Sequence, residues 1–285
     1  MTTPWTIAAV QVDCRLADVK HNLSRIQERT AEAAKEARLV IFPECVLSGY
    51  CYESKEEAWP SAEPVPGPST LAVAELCKRL GVSVIFGMLE RGEESRLFNT
   101  AALVGPAGVI ATYRKIHLPF LGVDRFTTPG DRPFAVHDLG GLRVGMNICY
   151  DGSFPESSRV LTLLGADLVV LPTNWPTGAV NTVKYLVQAR ALENHTYYAA
   201  CNRVGEERGF RFIGQSRIVD CSGELLAFTE SDREEIIYAE IDPSRARNKQ
   251  IVNVPGKYEI NRVADRRPEM YGPLCEPCMV DRTRK

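Results

Sequence analysis

The sequence predicts one α/β domain whose sheets are covered by helices. Short runs rich in Val and Ile alternate with helix-like segments along most of the chain. Several of those runs are apolar at nearly every position, which is the pattern of strands buried on both faces. No internal repeat, low-complexity linker or composition break divides the chain, and 285 residues with 45% hydrophobic content suffice for one large core. The reading is a single domain over 1–285, with an irregular C-terminal arm from about 245 to 285 that has few apolar residues to bury by itself.

The elements follow in order. WTIAAVQV is a strand, and a helix follows from Asn22 to Ala37. LVIFP is a strand ending at a proline, and the second helix is Ser69 to Leu80. VSVIFGM, FNTAALV and VIATYRK are three further strands. RVGMNIC leads into a helix from Phe154 to Leu164. DLVVLPTN, a helix from Asn181 to Glu193 and YYAACNRV come next. RIVDCSGELLAF holds a Ser-Gly turn between alternating runs, the mark of a hairpin, and EEIIYAEID adds a last strand.

Charge and cysteine content narrow the classes. A net charge of −2 provides no basic face for nucleic acid or an anionic membrane. No apolar run approaches the roughly 20 residues of a membrane span, and the N-terminus lacks a basic region followed by an apolar stretch. A cytoplasmic protein is expected. Nine cysteines are many, yet Cys77 and Cys201 lie inside apolar segments and read as small buried hydrophobes. Cys275 and Cys278 form a lone CxxC without the second pair that a zinc ribbon requires. No metal or other cofactor is implied.

Three residues stand where apolar strands stop. In NICYDGSFPE a strand runs into Cys149, and Asp151-Gly152 supplies turn chemistry. Ser153 with Glu156 reads as a capping box opening the next helix. Strand, sharp turn and helix make a nucleophile elbow, and a helix N-terminus lowers a thiol pKa. Glu44 follows LVIFP, and Lys115 ends VIATYRK. A lone charge at a buried strand end costs several kcal/mol unless paired or used. Open α/β sheets place their chemistry at such ends. Of the four histidines, His21, His137 and His195 read as structural, while His117 is an alternative base close to Lys115.

In these segments the chain resembles the nitrilase superfamily, the carbon–nitrogen hydrolases with a Glu-Lys-Cys triad. FPECVLSGY, YRKIHLP and NICYDGSFPE carry the resemblance, with PTNWP and ARALENHTYYAACNRVG beside them, and it extends to about Asp242. It implies an α-β-β-α four-layer sandwich that dimerises into an eight-layer unit. It also implies Cys149 as nucleophile, Glu44 as base, and Lys115 with the Tyr150 backbone N–H at the oxyanion. Many members carry a second glutamate between the lysine and the cysteine. LPFLGVDRFTTPGD has none, and Asp124 is the nearest match. The pocket is expected to include Tyr50, Phe120, Tyr150, Asn174 and Trp175. Cys149-Tyr150-Asp151 in place of Cys-Trp-Glu is the pattern of the family's amidase and carbamoylase branches and not of its nitrilases. The expected activity is hydrolysis of small aliphatic or aromatic carboxamides, with a small-molecule amide as the partner. The alternatives are an N-carbamoyl amidohydrolase, for which Arg203 or Arg208 could clamp a carboxylate, a nitrilase, and a silent thiol-sensing scaffold. Arg190 is expected to pair with Glu193.

Overall fold

The protein, seen in a computed structural model that describes residues 3–277, contains two six-stranded sheets packed face to face with helices outside. The chain divides after Asn248 into a large unit and a small one starting at Lys249. In the small unit an antiparallel pair, Ile251–Val254 with Tyr258–Ile260, precedes two short 3-10 turns. Cys278 lies outside the described residues, so the CxxC pair is represented by Cys275 alone.

The first sheet of the large unit has a parallel centre of β1 (Trp5–Gln11), β2 (Leu39–Ile41) and β3 (Ser83–Arg91). Beside β3 lie β4 (Leu97–Gly105) and β5 (Gly108–Arg114), both antiparallel. The second sheet holds β6 (Val136–Asp138), β7 (Arg143–Met146), β8 (Leu168–Thr173), β9 (Tyr197–Asn202), β10 (Arg217–Val219) and β11 (Leu225–Phe228). Its middle, β7-β8-β9, is parallel. β12 (Glu235–Ile241) returns to pair antiparallel with β1 and closes the other edge of the first sheet. Every expected strand is present, and the four-layer arrangement is the one the resemblance implied.

Period-two alternation explains the layers. Ile7, Ala9, Leu39 and Ile41 face the second sheet and join a core with Val144, Met146, Leu168 and Val170. Their neighbours Ala8, Val10 and Val40 face outward onto Ile26 and Ala33 of α1 (Val19–Ala33) and onto Val73 and Cys77 of α2 (Pro68–Leu80). Leu161 of α3 (Pro155–Leu163) and Val187 and Ala191 of α4 (Val187–Asn194) belong to the same core cluster as the second sheet. Cys201 lies between the sheets, its Sγ 3.2 Å from Ile41 O and 3.3 Å from Val10 O. Cys77 and Cys201 are buried free thiols, as their apolar settings predicted.

Helix boundaries differ from expectation for local reasons. Asp18 accepts from the His21 N–H and starts α1 a turn early. The expected Asn181–Glu193 helix begins instead as a π-helical turn, Thr182–Leu186, before α4. Ser153 and Glu156 form no capping box, because α3 starts one residue later with Phe154 at its N-cap and no side-chain cap.

Because Ile41 sits on the central strand where the sheets meet, Ile41→Ala should destabilise the fold by about 2–5 kcal/mol. The urea midpoint should fall with an unchanged m-value.

Candidate active site

Both sheets deliver charged or nucleophilic side chains to one buried place. Glu44 sits three residues beyond β2, in a turn that lies against β3. The close approach needs Gly87, since a Cβ there would stand 2.2 Å from the Cys45 nitrogen and 2.6 Å from the Glu44 carbonyl carbon. Lys115 follows β5 directly, and its N–H donates to Asn99 O on β4 (2.8 Å). Asp124 lies in a 3-10 turn, Gly122–Arg125. Gly122, at φ +50, packs against the Tyr50 ring with no room for a side chain.

The three charged groups form one cluster. Lys115 Nζ donates to Glu44 Oε1 at 2.7 Å and to Asp124 Oδ2 at 2.5 Å, with all three side chains fully enclosed. Asn99 Nδ2 donates to both carboxylates, to Glu44 Oε1 at 2.8 Å and Asp124 Oδ1 at 2.9 Å. Tyr50 Oη adds a bond to Asp124 Oδ2 at 2.8 Å. Glu44 Oε2 is buried and takes no hydrogen bond from the described residues. Burial pushes the Glu44 pKa up; Lys115 opposes this and Asp124 adds to it. For Lys115 burial disfavours the charged form, but the Asp124 and Glu44 carboxylates outweigh it and hold the ammonium protonated.

Cys149 arrives from the other sheet. It opens a 3-10 turn, Cys149–Ser153, after β7, and its φ of +44 lies in the left-handed region. A residue with a Cβ is seldom held there, and the sharp reversal points its side chain off the strand end. The sulfur interacts electrostatically with Glu44 and Lys115, and Lys115 in turn with Cys149. Burial, then the Glu44 charge, push the thiol up to about 12, with Lys115 opposing. The expectation of a lowered thiol pKa is therefore corrected. The helix begins only at Pro155, and desolvation beside a carboxylate outweighs what it offers.

Asp151 stitches the two sheets together beside the thiol. The fully buried carboxylate accepts from Tyr113 Oη (2.8 Å) and Ile148 N (2.9 Å) through Oδ2. Its Oδ1 accepts from His117 N at 3.1 Å and lies 2.7 Å from His117 Nδ1. The His117 ring stacks on Phe154 at 3.8 Å, so this histidine clamps the lysine segment to the turn. Arg190 pairs with Glu193 at 3.0 Å as expected, and also donates to the carbonyls of Gly152 (3.0 Å) and Ser153 (3.3 Å).

The expected pocket residues are placed differently from one another. Tyr50 is buried on Asp124. Asn174 is buried with neither amide atom bonded among the described residues, and its backbone interacts with the Cys149 sulfur. Tyr150 meets Phe154 edge-on at 5.1 Å. Trp175 packs in the core, its backbone fixed by Asn202 at 2.8 Å. Phe120, 73% exposed, lines an outer cavity of about 200 Å³ with Tyr52, Arg125 and Phe210. Arg203 is buried against Asp13 (2.9 Å) and Glu207 (2.7 Å), and Arg208 pairs with Glu57. Both are neutralised by carboxylates. His137 lies in β6 and His195 forms the left-handed end of α4. Asn99 and Asp151 were missed. Asn99 is a polar residue within the apolar run FNTAALV, a usable signal, whereas Asp151 in a Tyr-Asp-Gly run reads as a turn former.

A family model described as Carbon-nitrogen hydrolase matches residues 6–250. A protein named Nitrilase from Pyrococcus abyssi is 38% identical over 270 residues, covering 93% of this chain and 98% of the relative. An (R)-stereoselective amidase from Pseudomonas sp. is 36% identical over 234 residues, 81% of this chain and 82% of the relative. A cysteine-to-alanine mutant of the amidase from Nesterenkonia sp. AN1 in complex with butyramide has the same fold. Its TM-score is 0.77 at 25% identity, over 93% of this chain and 95% of that one.

Removing the Asp151 carboxylate would strand buried donors, so Asp151→Ala should cost at least about 1–3 kcal/mol in chemical denaturation. Ser153→Ala, which removes no cap, should stay within about 0.5 kcal/mol of the parent.

Proposed function

This chain belongs to the carbon–nitrogen hydrolase family of the nitrilase superfamily, and we propose that it is an amidase that converts small aliphatic or aromatic carboxamides to carboxylic acid and ammonia. The observation that carries the reading is a buried Glu44–Lys115 pair, electrostatically coupled to the Cys149 sulfur, with one carboxylate oxygen left unbonded.

The chemistry follows from that arrangement. The thiol rests protonated, so its proton passes to Glu44 Oε2 as sulfur attacks the carbonyl carbon. The C–S bond forms and the carbonyl pair moves onto oxygen. The Lys115 ammonium and the Tyr150 backbone N–H stabilise that oxyanion, each such donor being worth ~10²–10³ in rate. Collapse breaks the C–N bond, and Glu44 returns the proton to the leaving nitrogen as ammonia departs. Water then attacks the thioester, giving its proton to Glu44, and the second collapse releases the acid and restores the thiol. Asp124 takes the place of the family's second glutamate in holding Lys115. Asn174, whose backbone reaches the sulfur and whose buried side-chain amide meets no partner among the described residues, is suited to binding the substrate.

The butyramide complex of the Nesterenkonia amidase supports a short acyl chain. A carbamoyl substrate bearing a carboxylate finds no clamp in Arg203 or Arg208, since both already face carboxylates. We also propose a homodimer through the exposed face of α3 and α4, where Val160, Leu163 and Leu192 are solvent-facing; sedimentation would show a monomer if that is wrong.

The test is ammonia release from a panel of carboxamides, nitriles and carbamoyl compounds. Simple amides should be turned over and the others not. Cys149→Ala and Glu44→Gln should each abolish turnover, whereas His117→Asn should retain far more activity than Glu44→Gln. The ionised form of Glu44 is the active base and its pKa is raised above the ordinary 4.5. Activity should therefore be lost as pH falls through that raised value, earlier than for an ordinary carboxylate. A pH–rate profile whose acid limb lies at or below 4.5 would count against Glu44.

A further inference from the structure

We propose that Asn99 is a positioning residue of the reaction, its side-chain amide and backbone carbonyl holding Glu44, Asp124 and Lys115 in the one arrangement that leaves Glu44 Oε2 free to act as base. This rests on the amidase reading above.

Asn99 lies on β4 opposite Leu89 of β3, within a strand buried at every position. An amide there loses its water, so it must bond fully or destabilise the fold. It does bond fully. Its Nδ2 carries two protons and meets two acceptors, Glu44 Oε1 at 2.8 Å and Asp124 Oδ1 at 2.9 Å. Its Oδ1 accepts from the Cys45 thiol at 3.5 Å. Carboxylates only accept, so the amide can face them only with its nitrogen, and Cys45 fixes that orientation from the other side. Burial keeps the Cys45 thiol protonated and therefore a donor. The backbone carbonyl of the same residue takes the Lys115 N–H at 2.8 Å. One residue thus touches every charged member of the cluster.

The consequence lies in how the two oxygens of Glu44 divide. Oε1 takes both Lys115 Nζ and Asn99 Nδ2, and Oε2 takes nothing from the described residues. Without Asn99 the carboxylate could rotate and share Lys115 between its oxygens, and the free base would be lost. The amide also compensates for a short side chain. Asp124 has one methylene less than the glutamate usual in the family, and the Asn99 bond ties its second oxygen to the cluster while Lys115 and Tyr50 hold the first. The ionisable groups around Glu44 are Lys115, Asp124, Cys149, Cys45 and Tyr50. Asn99 is the neutral donor among them, and its bond favours the ionised form of Glu44.

The experiment compares wild type, Asn99→Leu and Asn99→Asp, with ammonia release from a simple carboxamide measured across pH and unfolding followed for each protein. Leu removes the donor at similar volume, and Asp keeps the shape while adding a third carboxyl. Both variants should lose about 10- to 100-fold in kcat, with a much smaller change in KM. The acid limb should move to higher pH in both. Active, folded variants whose acid limb and kcat match wild type would overturn the proposal, as would a loss confined to stability. If either variant fails to fold, Cys45→Ala removes only the group that orients the amide. It should shift the limb the same way with a smaller loss in kcat, and Cys45→Ser should restore both. An unmoved profile in Cys45→Ala overturns the proposal. A wild type silent on every amide would sink the reaction assignment itself, a different result from an active wild type with unmoved variants.

Discussion

Everything at this site depends on an ammonium group kept away from water. Lys115 has no solvent to share its charge with, so it must be met by carboxylates at hydrogen-bonding distance, and Glu44 and Asp124 supply them. Breaking one side of such a buried pair costs about 3–5 kcal/mol, since the remaining charge would be stranded. The fold is committed to delivering all three. That commitment explains the glycines at positions 87 and 122, each of which lets an element come closer than an ordinary side chain would permit, Gly87 under the Glu44 turn and Gly122 against Tyr50. It also sets the electrostatics. Burial, with Asp124 adding to it, raises the Glu44 pKa against the pull of Lys115, and burial beside Glu44 raises that of the Cys149 thiol.

Cys149 belongs to the other sheet, so the proposed reaction requires two independently hydrogen-bonded layers to stay in register. Asp151 provides the link. Tyr113 and His117 come from the lysine's strand and the residues after it, Ile148 from the cysteine's own segment, and all converge on one carboxylate. Arg190 reinforces the same turn from α4 by binding two of its carbonyls. The left-handed backbone at Cys149 is thus over-determined by its surroundings, the condition under which a strained residue persists.

Much of this was legible in the sequence. The strands were visible because runs such as DLVVLPTN are apolar on both faces, and Glu44, Lys115 and Cys149 stood out as polar groups at the ends of such runs. The hidden parts were of two kinds. Asn99 sits within a strand, where a single polar residue looks like noise until its partners, 55 and 25 residues away in sequence, are known. Asp151 has a local disguise, because aspartate before glycine is common turn chemistry whatever it bonds. The thiol's protonation was misjudged for a related reason. Proximity to a helix start can be read from a sequence, but depth of burial and the nearness of Glu44 cannot. The same holds for Ser153 and Glu156, which have capping-box spacing although the helix starts one residue too late to use it.

The raised pKa of the Cys149 thiol has a bearing on which molecules can disarm the protein. Reagents that wait for a standing thiolate, peroxides and simple disulfides among them, should react slowly with a thiol that burial pushes up to about 12. Under the proposed reaction, a compound that brings a carbonyl-like group to Cys149 would engage Glu44 and Lys115 together, and so would provoke the sulfur that it then captures. Selective covalent inhibitors of such a site are better sought among substrate mimics than among the most aggressive electrophiles.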